Sequence, residues 1–158
     1  MEFFDLISVE EANEKIMEYF KDFQLGIEEI DILECTNRVL AEDVISDINV
    51  PEFNRSTVDG YAINSKDSHG ASESVPSLLN IIGEVKMGQI PDKGIKEGEA
   101  MYVPTGGMVP EGADGVVMIE HTEKLDEESL MVYKSISSHE NIIFKGDDIK
   151  KGEVALTK

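Results

Sequence analysis

Three short stretches of this chain put reactive side chains where a plain turn would not need them. In "FNRSTVDGYAIN", after Pro51 ends the preceding segment, Asn54, Ser56 and Asp59 are turn formers. Gly60 offers the φ freedom to turn sharply into a strand over Tyr61–Ile63. The residues alone leave Asp59 with two readings. It caps the turn by accepting a backbone amide, or it is an exposed acid at a strand entrance, suited to a ligand or metal. In "YVPTGGMVPEGADGVVMIE", Thr105 sets a hydroxyl beside Gly106 and Gly107, where backbone can approach an anion and donate amides. Taken by itself, an ordinary glycine turn is the plainer reading of that segment. Asp114 then occupies a tight turn, and Glu120 ends the strand that follows. In "FKGDDIKKGE", Asp147 and Asp148 beside Gly146 are either a solvated turn or a seat for Mg²⁺, which takes one or two carboxylates and keeps several waters.

Other chemistries have no signature here. The chain lacks a "GxxxxGK[ST]" loop, a "GxGxxG" after a strand, a "CxxC" pair and a "GxSxG" elbow. His69, His121 and His139 stand far apart and read as surface residues, so zinc bound by sequence neighbours is unsupported. The single cysteine, Cys35, excludes an internal disulfide and points to a reducing compartment. With Ile32, Leu33, Val39 and Leu40 around it, it reads as a buried structural thiol.

Charge narrows the partners. Lys and Arg number 14 against 33 Asp and Glu, a net charge of −19 over 158 residues. So acidic a surface repels nucleic-acid backbones and anionic lipid alike, and serves either solubility or cation binding. No nucleic acid and no membrane is the expectation. The N-terminus has no basic signal-peptide region, and no apolar run nears the roughly 20 residues that span a bilayer, which predicts a cytoplasmic protein.

The elements that must hold these loops follow from periodicity. Ser8 and Glu11 form a capping box, and Ala12, Ile16, Tyr19, Phe20 and Phe23 share one helical face, predicting a helix stopped by Gly26 with that face in the core. Ile27–Leu33 reads as a strand, and "TNRVLAEDVIS" as a helical turn leading to an extended piece. From Val50 to Tyr133 short apolar runs ("GYAI", "SLLNIIGEV", "AMYVP", "GVVMIE", "LMVYK") alternate with turn clusters, an all-β pattern. A last strand is expected at Val154–Leu156. The fold class is therefore α+β. A mixed α/β linker module over residues 1–49 and 136–158 carries an inserted, barrel-like β-rich module over residues 50–135, which bears the loops.

In order, "P-x-F-x-x-S-x-x-D-G-Y-A", "T-G-x-x-x-P-x-G-A-D-x-V-V-M-x-E" and "N-I-x-x-x-G-x-D-I-x-x-G" resemble the MoeA family, the molybdopterin molybdenumtransferases, whose animal relative is the E domain of gephyrin. The resemblance covers essentially the whole chain. It implies the last step of molybdenum cofactor assembly, in which adenylylated molybdopterin and molybdate give the metal-loaded cofactor and AMP with a divalent cation, Mg²⁺. It also implies an elongated homodimer with a cleft between subunits, and a molybdopterin-adenylylating enzyme as upstream partner. By motif position Asp59 and Thr105 match the catalytic acid and threonine. Ser56, Gly106, Gly107, Asp114 and Glu120 match substrate-binding positions, and Asp148 a metal position. Two departures stand out. Gly107 replaces the family's usual alanine, which should loosen its loop, and Ile143 stands where the third motif commonly has arginine, leaving Lys145 nearby. Lys158 falls where the family's pterin-binding domain begins, so the chain is expected to hold the N-terminal modules and to be inactive alone. A non-catalytic scaffold or dimerisation module is the alternative.

Overall fold

The computed structural model describes residues 6–158, which form two compact units divided between Glu42 and Asp43. The first holds one helix, α1 (Val9–Phe20). Its start is as expected: Glu11 donates its amide to Ser8 Oγ at 3.1 Å, and Ser8 donates its own to Glu11 Oε2 at 3.0 Å. Its end is not. The helix stops at Phe20, well before Gly26, with Lys21 as its C-cap. Nor is its apolar face core. Ile16, Phe20 and Phe23 are each more than half exposed, and the aromatics cover only one another, Phe20 meeting Tyr19 and Phe23 edge-on at 5.0 and 6.0 Å.

Three further expectations for this unit fail. Ile27–Leu33 forms no strand, because Asp31 accepts the Leu33 amide at 2.8 Å and turns the chain into a 3₁₀ segment over Ile32–Glu34. The turn after Thr36 is not helical, since Asn37 lies in the left-handed region at φ 65°. Cys35 is exposed rather than buried.

The second unit, Asp43–Thr157, is built of short strands. Its strands in chain order are β1 (Val44–Ile45), β2 (Arg55–Ser56), β3 (Gly60–Ile63), β4 (Ser77–Glu84), β5 (Glu99–Val103), β6 (Gly115–Met118), β7 (Thr122–Lys124), β8 (Ser129–Val132), β9 (Ile142–Ile143) and β10 (Val154–Leu156). Six of them form one curled sheet in the order β6-β3-β5-β4-β8-β7, antiparallel except for the parallel pair β4 and β5. The pairs β1 with β10 and β2 with β9 are separate antiparallel ribbons. The chain is thus α+β and mostly β.

Alternation along the strands fills both faces of the sheet. Tyr61, Ile63, Ala100, Val117, Leu130 and Val132 pack into one apolar cluster. The residues between them, Ala62, Met101, Val103 and Val116, pack with Val85 and Ile95 into another. That is why "GYAI" and "GVVM" read as continuous apolar runs: every residue of β3 is buried. No helix of the described residues is long and apolar enough to cross a membrane.

Candidate functional site

The three motif loops converge. The first, residues 50–59, lies between the other two and bonds to both. Toward the second loop, Ser56 donates its amide to the Gly107 carbonyl (3.0 Å) and accepts from the Gly106 amide (2.8 Å), while Val109 donates to the Asn54 carbonyl (2.9 Å). Toward the third, β2 pairs with β9 through Arg55 opposite Ile143 and Ser56 opposite Ile142. Thr57 donates to the Asn141 carbonyl at 3.0 Å, and Lys145 donates its amide to Asn54 Oδ1 at 2.9 Å. Asn54 therefore holds the first loop to both partners, a role its sequence position did not signal.

Asp59 sits at the exposed edge of this junction. Its Oδ1 accepts both the Thr105 amide (2.7 Å) and the Thr105 hydroxyl (3.0 Å), which fixes the carboxylate against the second loop. Oδ2 takes no bond from any described residue, so one oxygen is held and the other is presented. Asp59 does not cap its own turn; its carboxylate is bonded to the neighbouring loop, 46 residues on in sequence. Ser56 is buried and turns inward, donating its hydroxyl to the Val58 carbonyl at 2.6 Å, which shapes the loop and keeps the hydroxyl from solvent.

The glycines act mainly through space. A Cβ on Gly60 would fall inside the carbonyl of Val117, so Gly60 is required by the close approach of β3 to β6 and not by a positive φ. Gly106 does use the left-handed region, at φ 81°, and its outer side is open. Gly107 is not the loosening substitution expected of it. Its Cβ would come within 2.8 Å of the Pro104 carbonyl, and its own amide donates to that oxygen. The loop is tight because glycine lets it close.

The remaining candidates separate. Glu120 is exposed at the Asp59 end of the sheet, in a 3₁₀ turn over Ile119–His121 that follows the end of β6 at Met118. The turn is tied there by the Ile119 amide on the Asp59 carbonyl (3.0 Å). Asp114 lies at the opposite end of β3, its amide bonded to the Ile63 carbonyl, roughly 15 Å away at strand spacing. Both its oxygens are engaged, by the Ser65 amide (2.6 Å) and the Ser65 hydroxyl (2.9 Å). Partial burial pushes its pKa up, but the bonds from Ser65 and Ser138 and the nearby His139 outweigh it, leaving the acid below its ordinary range. In the third loop Asp147 closes its own turn on the Phe144 amide (2.7 Å). Asp148 is exposed, held by its backbone to the Val50 carbonyl (2.9 Å). No three acidic, histidine or cysteine side chains among the described residues gather as a metal cluster.

The motif loops carry four basic side chains, Arg55 on the first and Lys145, Lys150 and Lys151 on the third. Arg55, one of two arginines in the sequence, is half-buried beside Ile143 and forms no ion pair with a described residue, whereas Arg38 pairs with Glu28.

Residues 7–158 match the family described as MoeA N-terminal region (domain I and II). The chain belongs to the MoeA family. Among relatives of this MoeA chain, a molybdopterin molybdenumtransferase of Staphylococcus epidermidis is 36% identical over 96% of the chain and 36% of that protein. A molybdopterin molybdenumtransferase of Staphylococcus aureus is 40% identical over 77% of the chain and 29% of that protein. The crystal structure of the molybdopterin biosynthesis moeA protein from Pyrococcus horikoshii superposes with a TM-score of 0.77 at 38% identity, over 83% of this chain and 34% of that one. The MoeA chain described here thus spans about a third of the length of these relatives.

Proposed function

We propose that this chain is the N-terminal part of a molybdenum insertase, contributing one wall of a site where molybdate enters adenylylated molybdopterin and AMP is released. The observation that carries the reading is the Asp59–Thr105 pair, one carboxylate oxygen fixed by two donors and the other free, at the exposed junction of three motif loops. Cleaving a phosphoanhydride demands charge neutralisation and a positioned attacking oxygen. Thr105 orients Asp59, Gly106 leaves room for a substrate to approach the backbone, and Glu120 adds an acid at the same end of the sheet.

Mg²⁺ fits the donors available. It binds through one or two carboxylates together with substrate oxygens, and the free oxygen of Asp59 and the exposed carboxylate of Asp148 are of that kind. Bound there, it would supply charge neutralisation at the phosphates. The absence of a three-acid cluster among the described residues agrees with an ion held largely by its substrate.

In this reading the inserted module of residues 50–135, carried by a linker module of residues 1–49 and 136–158, bears half of a cleft. A pterin-binding domain supplies the other wall, in an elongated homodimer that receives its substrate from an adenylylating enzyme in the cytoplasm. The chain alone is inactive. Thr105→Val, tested in a chain extended by the pterin-binding domain, should lower molybdenum insertion by roughly tenfold or more, because the hydroxyl that orients Asp59 is lost. Unchanged insertion would remove Thr105 from the site.

A second reading has one observation in its favour. The exposed apolar face of α1 is the surface a scaffold or dimerisation module would use. It predicts that Ile16→Glu with Phe20→Glu weakens self-association while Asp59→Asn is silent.

A further inference from the structure

Beside Asp59 the curled sheet ends in a cavity of about 430 Å³. Tyr61 and Tyr102, paired across β3 and β5, form its aromatic wall, their rings edge to face at 5.7 Å. Ile81 and Ile119 add apolar surface, and Glu84 and Lys124 stand exposed at its rim. The Ile119 amide is the one bonded to the Asp59 carbonyl, so cavity and acid share a boundary. Tyr61 lies two residues after Asp59, about 7 Å along the strand.

The state of Tyr61 gives the cavity its chemistry. The residue is only 3% exposed, yet no described residue hydrogen-bonds its hydroxyl. No buried side-chain polar atom among the described residues lacks a partner, so the small exposed part of Tyr61 includes that hydroxyl. Tyr61 is also one of the residues that line the cavity. A buried tyrosine normally satisfies its O–H within the protein. Here the bond is left to whatever enters.

We propose that this cavity binds a planar nitrogen heterocycle, stacked against Tyr102 between the two isoleucines, with a ring nitrogen or exocyclic group bonded to the Tyr61 hydroxyl. The volume lies within the range of small-molecule sites, roughly 300–1,000 Å³. Glu84 can accept from an exocyclic amine, and Lys124 can meet a phosphate leaving the mouth. This rests on the reading of the Asp59 end as a site for an adenylylated pterin. Both rings of that substrate, purine and pterin, have the required chemistry.

The test is titration of the chain, with its tyrosine rings isotopically labelled, against AMP, 6-hydroxymethylpterin and ribose 5-phosphate, followed by NMR. AMP or the pterin should shift the Tyr61 and Tyr102 ring signals, and which one does so identifies the ring. Ribose 5-phosphate should not. Tyr61→Phe, which keeps the packed ring, should weaken binding roughly fivefold, and Tyr102→Leu roughly tenfold. Ring binding is read here without molybdenum insertion, whereas the insertase reading is tested by insertion activity, so that loss of that reading and loss of this site are separate outcomes. Equal shifts with ribose 5-phosphate, no shifts with any probe, or full affinity in Tyr61→Phe would overturn the proposal.

Discussion

Two Asp-Gly pairs open two neighbouring strands of the same sheet, and they have opposite fates. Asp59-Gly60 begins β3 and Asp114-Gly115 begins β6; because the strands are antiparallel, the two acids end up at opposite ends. Gly60 is there because a side chain would collide with the Val117 carbonyl, whereas a Cβ on Gly115 would meet the movable end of the Ile136 side chain. The acids differ in what their second oxygen meets. At Asp114 a serine amide and a serine hydroxyl take one oxygen each, and the carboxylate is spent on structure. At Asp59 the threonine amide and hydroxyl converge on a single oxygen, and the other takes no bond from a described residue. Identical dipeptides are held differently through the geometry of their donors.

That contrast can be broken experimentally. The largest effect should come from Gly60→Ala, which forces β3 away from β6; a loss of about 3 kcal/mol or more is expected in urea unfolding. A near-normal midpoint would mean the strands can separate cheaply. Asp114→Asn should cost about 2 kcal/mol, because Asn offers only one acceptor to the two Ser65 donors. Asp59→Asn should cost less than about 1 kcal/mol at its exposed position. If the two substitutions cost the same, the distinction between brace and site fails.

Acid should act at the Asp114 end. A carboxylate whose pKa is lowered on folding stabilises the protein at pH values above its unfolded pKa, and that contribution is lost as pH falls through the folded one. Asp114 and Glu140, the latter lowered by the Ser137 amide and Lys134 against a smaller opposing effect of burial, are both of this type. Thermal stability should therefore decline as pH drops below about 4, and less steeply in Asp114→Asn. An identical decline in that variant would locate the acid sensitivity elsewhere.

Sequence alone located the strands because alternation and turn residues agree over Val50–Tyr133. It located Asp59 and Thr105 because their motifs are distinctive, though their direct bond spans 46 residues and no local rule predicts it. It read the first unit poorly. The pattern of α1 showed an apolar face without showing whether anything covers it, and the Asp31 cap and left-handed Asn37 overrode the strand and helix propensities around them. Gly107 was misread for a similar reason. Whether glycine loosens or tightens a loop depends on the Pro104 carbonyl it packs against. The tyrosine cavity was invisible because Tyr61 and Tyr102 follow ordinary strand alternation, and only β3–β5 pairing puts them face to edge.

The most direct test of the account is molybdenum insertion by Asp59→Asn in a chain extended by the pterin-binding domain, with the melting temperature measured alongside. The account predicts that insertion falls by roughly a hundredfold or more while the melting temperature scarcely moves. Insertion at the unsubstituted rate by that folded variant would contradict it.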